Sequence, residues 1–310
     1  MADMTCQELV RGYRLKGYKL KYYGKVKESH KKPRSKDQRK RKSKVKRERK
    51  TYRLYKTVIN PHHKTTLLIT AGFHGDEPNS PISLLEIIDE VAAFATEMCV
   101  RVIVYICINP SGFDLRKHYN ASNEFFNNWF MLYMIEGGKW VGTLKDFDEP
   151  YAMTDLAKSP AKEVRLLQED ICKYYFPAPA AVLDIHQQHG NLKTGDIFAY
   201  IFDRLPVYYR IMNKLEKIAP IARNEAWKDY QDNREINYRI DEDGFVFVHD
   251  GTLTDLFHYL GSKYVVTSET KTTLSLDQVA KINLIWIKEL IRLIARDAKR
   301  KKNKKKKKKK

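Results

Sequence analysis

Apolar residues in this chain follow two rhythms. Short β-branched and aromatic runs read as strands: Tyr52–Ile59, Thr66–Ala71, Arg101–Ile108, Ala180–Ile185, Asp196–Phe202, Phe245–Val248 and Tyr264–Ser268. Between them lie stretches with apolar residues every three or four positions, which predict helices over Ser80–Thr96, Pro160–Tyr174, Pro206–Ile218, Thr252–Leu260 and Leu276–Ala298. In Pro160–Tyr174 the residues Val164, Leu167 and Ile171 form one apolar face, as do Val279, Ile282, Ile285, Trp286, Leu290 and Leu293 in the last helix. Both faces are expected to pack on a sheet. The alternation of strand and helix predicts an α/β body. Upstream, Tyr13 to Val26 alternates aromatic or aliphatic with basic residues, which fits an edge strand joining that body. Trp227, Tyr230, Tyr238 and Phe247 fall in a polar stretch that reads as loop-rich; they are expected mostly in the core, with walling a cleft as the alternative.

Charge divides the chain of 310 residues further. The overall +20 is concentrated at the ends. Arg11 to Lys50 holds 20 Lys/Arg against Glu28, Asp37 and Glu48, and Lys299 to Lys310 holds 11 Lys/Arg and no acid. Thr51 to Ala298 keeps 27 Lys/Arg and 33 Asp/Glu, so the body is mildly acidic. Three parts are therefore expected. Residues 1–50 form a basic segment with an edge strand and a disordered basic loop, 51–298 the body, and 299–310 a basic tail. Such basic blocks suit non-specific contact with nucleic acid or an anionic membrane, though solvated tails explain them as well. Of the four cysteines, Cys99 and Cys107 border or lie within an apolar run and are expected to be buried; no C-x-x-C spacing occurs. Met1 to Val10 lacks a signal-peptide pattern and no apolar run has membrane-spanning length, so a reduced cytoplasmic setting is expected, with no transmembrane segment.

The candidate chemistry sits where predicted strands end. Thr66–Ala71 runs into Gly72-Phe73-His74-Gly75-Asp76-Glu77, placing a His and a Glu three residues apart on a tight loop. Ala180–Ile185 runs into His186. Ligands of open α/β sheets collect outside the carboxyl ends of strands. Two strand-end histidines and a carboxylate make a His2Glu set, which binds zinc and leaves a position open for water. His74, Glu77 and His186 are thus the candidate ligands for one Zn2+ per chain. Tyr264–Ser268 runs into Glu269, a carboxylate able to take a proton from water whose pKa zinc lowers to about 7. The blander readings are a core histidine at His186 and a surface charge at Glu269.

Five separated blocks then resemble, in order, the zinc carboxypeptidase superfamily, particularly its branch of succinylglutamate desuccinylase and aspartoacylase-like deacylases. They are Gly72-Phe73-His74-Gly75-Asp76-Glu77-Pro78; Asn109-Pro110-Ser111-Gly112-Phe113 with Asn120 and Asn127 downstream; Ser159-Pro160-Ala161-Lys162-Glu163-Val164; Leu183-Asp184-Ile185-His186; and Asp250-Gly251-Thr252-Leu253-Thr254-Asp255 with Thr267-Ser268-Glu269-Thr270. The resemblance spans about Tyr52 to Ala295. It implies a single α/β domain with a mixed, twisted central sheet flanked by helices. It also implies a His/Glu/His zinc site and the late Glu as general base or acid.

The chain departs from that pattern at its substrate groups. Where the family has Arg-x-Asn, this chain has His118-Tyr119-Asn120, with Arg116 two residues earlier. Arg116 and His118 therefore compete for the family arginine's work on the scissile carbonyl. Arg116 is permanently charged; His118 has the matching spacing. The family's Asn-Arg carboxylate clamp is Asn127-Asn128 here, and an amide lacks the charged fork of Arg. The family's Asp behind a zinc histidine is Phe125. Asn120, Asn127 and Asn128 are the candidate substrate-binding residues. Two functions follow. One is a zinc hydrolase of a C-terminal peptide bond or an N-acyl amino acid, that is, a metallocarboxypeptidase or deacylase. The other is a catalytically weak zinc-binding scaffold whose basic arms hold RNA or an anionic surface.

Overall fold

The computed structural model describes residues 4–31, 47–124, 127, 129–190, 192–231 and 233–307. Helix α1 (Cys6–Leu15) precedes strands β1 (Leu20–Lys31), β2 (Arg47–Ile59) and β3 (Thr66–Ala71). Then come α2 (Asn79–Glu97), β4 (Arg101–Tyr105), α3 (Pro110–Leu115), β5 (Met131–Ile135), β6 (Lys139–Val141), β7 (Met153–Leu156) and α4 (Lys162–Ile171). The second half comprises β8 (Ala181–Gln188), β9 (Ile197–Ile201), α5 (Pro206–Leu215), β10 (Glu225–Gln231), β11 (Arg234–Ile240) and β12 (Phe245–Val246). Helix α6 (Leu253–Tyr259), β13 (Tyr264–Lys271) and α7 (Leu276–Lys307) complete it.

Ten strands make one mixed sheet in the order β1-β2-β4-β3-β8-β13-β9-β12-β11-β10, and β6-β5-β7 form a small second sheet. The α/β class and mixed central sheet are as expected. At the centre, β4, β3, β8 and β13 are mutually parallel, with buried backbones and side chains on both faces, which explains their near-continuous apolar sequences. One face packs Leu67, Ile69, Leu183 and Val266 against α1, α2, α5 and α7, with Trp286 fully buried. The other packs Leu68, Ile103, Val182 and Val265 under α4, α6 and the small sheet.

Several local expectations change. Tyr13 is not in a strand: α1 covers it and buries it, and the edge strand starts at Leu20. The helix carries a capping box, Thr5 accepting from Glu8 N while Glu8 accepts from Thr5 N at 2.7 Å. Trp227 and Tyr238 lie on a β10–β11 hairpin rather than in loop, paired in register and stacked at 5.2 Å. Strand β4 stops at Tyr105, because the chain then turns so that Ile108 N and Asn109 N reach Ala71 O and Gly72 O. Cys107 is buried as expected, whereas Cys99 is exposed at a positive φ of 55° after α2. Helix α7 runs past Ala298 to Lys307, through most of the expected tail. The basic stretch 32–46 lies outside the described residues; the strands flanking it, β1 and β2, pair antiparallel. No helix among the described residues is long and apolar enough to cross a membrane.

Candidate metal centre and cleft

Strand register builds the floor of the site. Thr70 on β3 pairs with Asp184 on β8, and His186 on β8 pairs with Glu269 on β13. With a period of two, Thr70, Asp184, His186 and Glu269 share one face. Thr70 Oγ1 donates to Asp184 Oδ1 at 2.7 Å, and Asp184 Oδ2 accepts from His186 Nε2 at 3.0 Å. A carboxylate on Nε2 fixes the imidazole as the tautomer whose Nδ1 carries the lone pair. That Nδ1 is buried without a hydrogen-bond partner and lies 3.2 Å from Glu77 Oε2.

The loop from β3 to α2 brings the other two candidates. Gly72 has φ of 71°, and a Cβ on Gly75 would stand 1.9 Å from the Gly112 carbonyl carbon, so the turn fits only against bare α3 backbone. Asn109 caps α3 by accepting from Gly112 N, and its amide donates to Phe73 O at 3.1 Å and His118 O at 3.3 Å. One buried side chain thus ties together the segments bearing His74 and His118. His74 Nδ1 donates to Glu77 Oε1 at 2.7 Å, while Glu77 Oε2 accepts from Gln187 N at 3.0 Å. The His74 Nε2 atom is buried and has no partner among the described residues.

Burial and charge pull these groups apart. Burial resists ionisation of Glu77, but His74 and His186 outweigh it and hold the carboxyl well below its usual range. Burial likewise resists charging His186, yet Asp184 and Glu77 push its pKa well above normal. Burial dominates at His74, whose pKa is lowered in spite of Glu77. Glu269 is pushed up to about 8, by burial first, with Glu77 and Asp184 adding to it against His186; its Oε2 has no partner. Buried, unpartnered His186 Nδ1, His74 Nε2 and Glu269 Oε2 beside the Glu77 carboxylate are atoms that a divalent cation would satisfy, and two imidazoles with a carboxylate suit zinc. Among the described residues, the group whose ligand atoms all lie within 4.8 Å of one another is His74, Glu77 and His118; His186 is not part of it, and its Nδ1 meets it at Glu77 Oε2.

The remaining sequence candidates part company at the rim. His118 stacks on His74 at 3.8 Å between centroids and lies 3.4 Å from Asp76 Oδ1. Asp76 Oδ2 also reaches His189 Nε2 at 3.2 Å. Arg116, favoured on charge for the oxyanion role, points elsewhere. It donates to Phe113 O at 2.6 Å and Met4 O at 2.7 Å and lies over the Phe113 ring, outside the cleft lining. Asn120 is buried and committed to Glu124 at 2.8 Å and Glu163 at 3.4 Å, so it does not face the cleft either. Asn127 does not line the cleft, although its Oδ1 is buried and unpartnered. Asn128 and Phe125 lie outside the described residues.

Above the floor opens a cleft of about 1010 Å3, lined by His74, Glu77, His118 and Glu269. Its far wall is Phe198 and Tyr200 of β9 and Trp227 of β10, and Lys193 is its one Lys or Arg among the described residues. The sequence reading missed Asp184, Asp76 and His189. Asp184 was legible: Asp-x-His on a strand puts both side chains on one face. Asp76 and His189 meet through chain geometry that no spacing encodes.

No protein-family profile and no curated protein matches this chain. Solved structures do. A candidate metallopeptidase from Shewanella baltica OS155 superposes with a TM-score of 0.62 at 19% identity, over 93% of this chain and 92% of that one. One from Shewanella amazonensis SB2B gives 0.61 at 21%, over 92% and 90%. A metallo-carboxypeptidase from Pseudomonas aeruginosa gives 0.54 at 13%, over 94% of this chain and 69% of that one. At these identities the likeness is one of fold: the chain has the metallo-carboxypeptidase fold.

Proposed function

We propose that this chain is a metal-dependent hydrolase of amide bonds, with one zinc held by His74, Glu77 and His186. The supporting observation is that Glu77 lies between His74 and His186, at 2.7 and 3.2 Å, beside Glu269 on the neighbouring strand, with His74 Nε2, His186 Nδ1 and Glu269 Oε2 buried and unpartnered. Zinc bound there would lower the pKa of a water toward 7 and polarise the scissile carbonyl. Glu269 accepts the proton of the attacking water and returns it to the leaving nitrogen. Its burial raises its proton affinity, which suits that shuttle near neutrality. Asp184 holds His186 in the ligating tautomer. His118, oriented by Asp76, donates toward the carbonyl oxygen where the negative charge develops.

The substrate is a small peptide or an N-acyl amino acid. Without an Arg in the described lining, the cleft offers no bidentate clamp for a terminal carboxylate, and Lys193 supplies a point charge instead. This argues against a strict dependence on a clamped terminal carboxylate. A second reading makes His118 a zinc ligand, because it lies in the compact group with His74 and Glu77. Metal analysis separates the two. The purified chain should hold about one zinc, lost in His74→Ala and His186→Ala and kept in His118→Ala. Zinc lost with His118 and kept without His186 would exchange their roles. Full zinc in a His74→Ala/His186→Ala double variant would sink the site. A screen of N-acyl amino acids against blocked dipeptides then tests the substrate.

A further inference from the structure

Away from the cleft, α1 and β2, with Asp114, enclose a groove of about 650 Å3 in which cations converge, and β1 runs beside it. Gln7, Arg11 and Arg14 recur at four and three residues, so they form one stripe of α1, and all three line the groove. Arg53 and Tyr55 of β2 face them. Lys25 stands opposite Arg53 in the ladder and Lys27 opposite Thr51, all four exposed. Like charges directly opposite on a sheet are destabilising. Among the described residues, Lys25, Lys27 and Arg53 take part in no ion pair, and Arg11 forms none closer than its charge interaction with Glu8 one turn back. The nearby acids are engaged: Glu8 by Thr5, Glu28 by Ser122, and Asp114 by Cys6 N and Lys50.

Aromatic rings interleave with these charges. Arg14 lies over Tyr55 at 5.3 Å, and Tyr22, 53% exposed, meets Tyr55 edge-on at 6.0 Å. Residues 32–46, joined to both strands, carry nine Lys/Arg against Asp37 alone. A line of unpaired cations beside an exposed ring is what a single-stranded nucleic acid needs: charge along its phosphates and a surface on which a base stacks. An anionic membrane would use the same charges, and the vesicle measurement below separates it from nucleic acid. We propose that this groove and ladder bind single-stranded nucleic acid, independently of the cleft chemistry.

The test is fluorescence anisotropy with the full chain and labelled U or dT oligomers of about 12 nucleotides, at about 50 and about 200 mM salt. Arg11→Gln/Lys25→Gln/Arg53→Gln should weaken binding at least about tenfold at the lower salt. It should also flatten the log–log salt slope by about 2, near 0.7 for each lost phosphate contact. An unchanged melting temperature shows that the fold survives, and the Arg11→Lys/Arg53→Lys variant should retain most of the affinity. The same triple change in a chain lacking residues 32–46 should still weaken binding. Affinity and slope insensitive to the triple change would assign binding to the lysine-rich segments and overturn the proposal. So would phosphatidylserine vesicles binding where oligonucleotides do not.

Discussion

The floor of the cleft and its rim are built by different means. On the floor, Thr70, Asp184, His186 and Glu269 sit at matched register on β3, β8 and β13, with backbones locked on both sides. On the rim, Arg116 and His118 lie outside any strand and are placed by contacts with other segments: Asn109 to His118 O, Asp76 to the His118 ring, Arg116 to Phe113 O and Met4 O. A floor residue cannot move without its strand, whereas a rim residue is aimed by whichever neighbour it happens to meet. Of the proposed machinery, the floor carries His186, its Asp184 partner and the proton acceptor Glu269, and the β3–α2 loop adds His74 and Glu77. The rim is where this chain departs most from the pattern it resembles, at His118 and Arg116.

The sharpest test of that division is Glu269→Gln. The amide keeps the shape and removes the proton acceptor, so turnover should fall at least about 10²-fold, with zinc content unchanged. Measuring kcat together with metal stoichiometry decides it. Turnover near normal would take Glu269 out of the mechanism and leave the floor a metal site only.

Next in size is Asp184→Asn. It breaks no zinc ligand but swaps the carboxylate on His186 Nε2 for an amide. Zinc affinity, read by competition with a chelator, should drop about 10–100-fold. No change would mean that strand packing alone orients His186. A rim comparison follows at smaller scale. His118→Ala should lower kcat while Arg116→Ala leaves it nearly untouched and lowers the melting temperature, since Arg116 ties α3 to the segment before α1. The reverse pattern of kcat would return the oxyanion role to Arg116.

This division also explains what could be read from sequence. Strand β3 is bounded as expected at Thr66–Ala71, and the α/β class with its mixed sheet stands. The strand-end logic placed His186 beside Glu269 because register enforces it, while His74 and Glu77 reach them from the β3–α2 loop. The same logic says nothing about where Arg116 points: a left-handed φ of 52° at the end of α3 turns it toward Phe113 and Met4. Charge favoured Arg116, and tertiary context overrode it. Trp227 failed for a related reason. In a hairpin whose outward positions are charged, the alternation of Trp227, Lys228 and Asp229 reads as loop unless β10 is known to pair with β11. The α1 helix was missed although Thr5-x-x-Glu8 signals its start, because the basic alternation after Tyr13 drew the strand reading too far upstream.

The smallest expected effect concerns what holds the rim. Asn120, expected to meet substrate, instead lies against Glu163, a fully buried carboxyl at the start of α4 whose Oε1 has no partner. Burial, with Glu28 and Glu124 adding repulsion against the Asn120 hydrogen bond, pushes Glu163 up to about 7 from an ordinary 4.5. Between those two values the folded chain binds more protons at this site than the unfolded chain. Stability contributed by the protonated group is therefore fully present below about pH 4.5 and is lost as pH rises through 7. Glu163→Gln keeps a neutral, hydrogen-bonding side chain at every pH. At pH 8 it should stabilise the chain on the order of 1–2 kcal/mol, and near pH 4.5 by about nothing. Urea midpoints of both proteins across that range measure the difference directly. A parallel pair of curves would show that Glu163 titrates normally and that the rim is held by the Asn120 and Ser122 contacts without any protonation of Glu163.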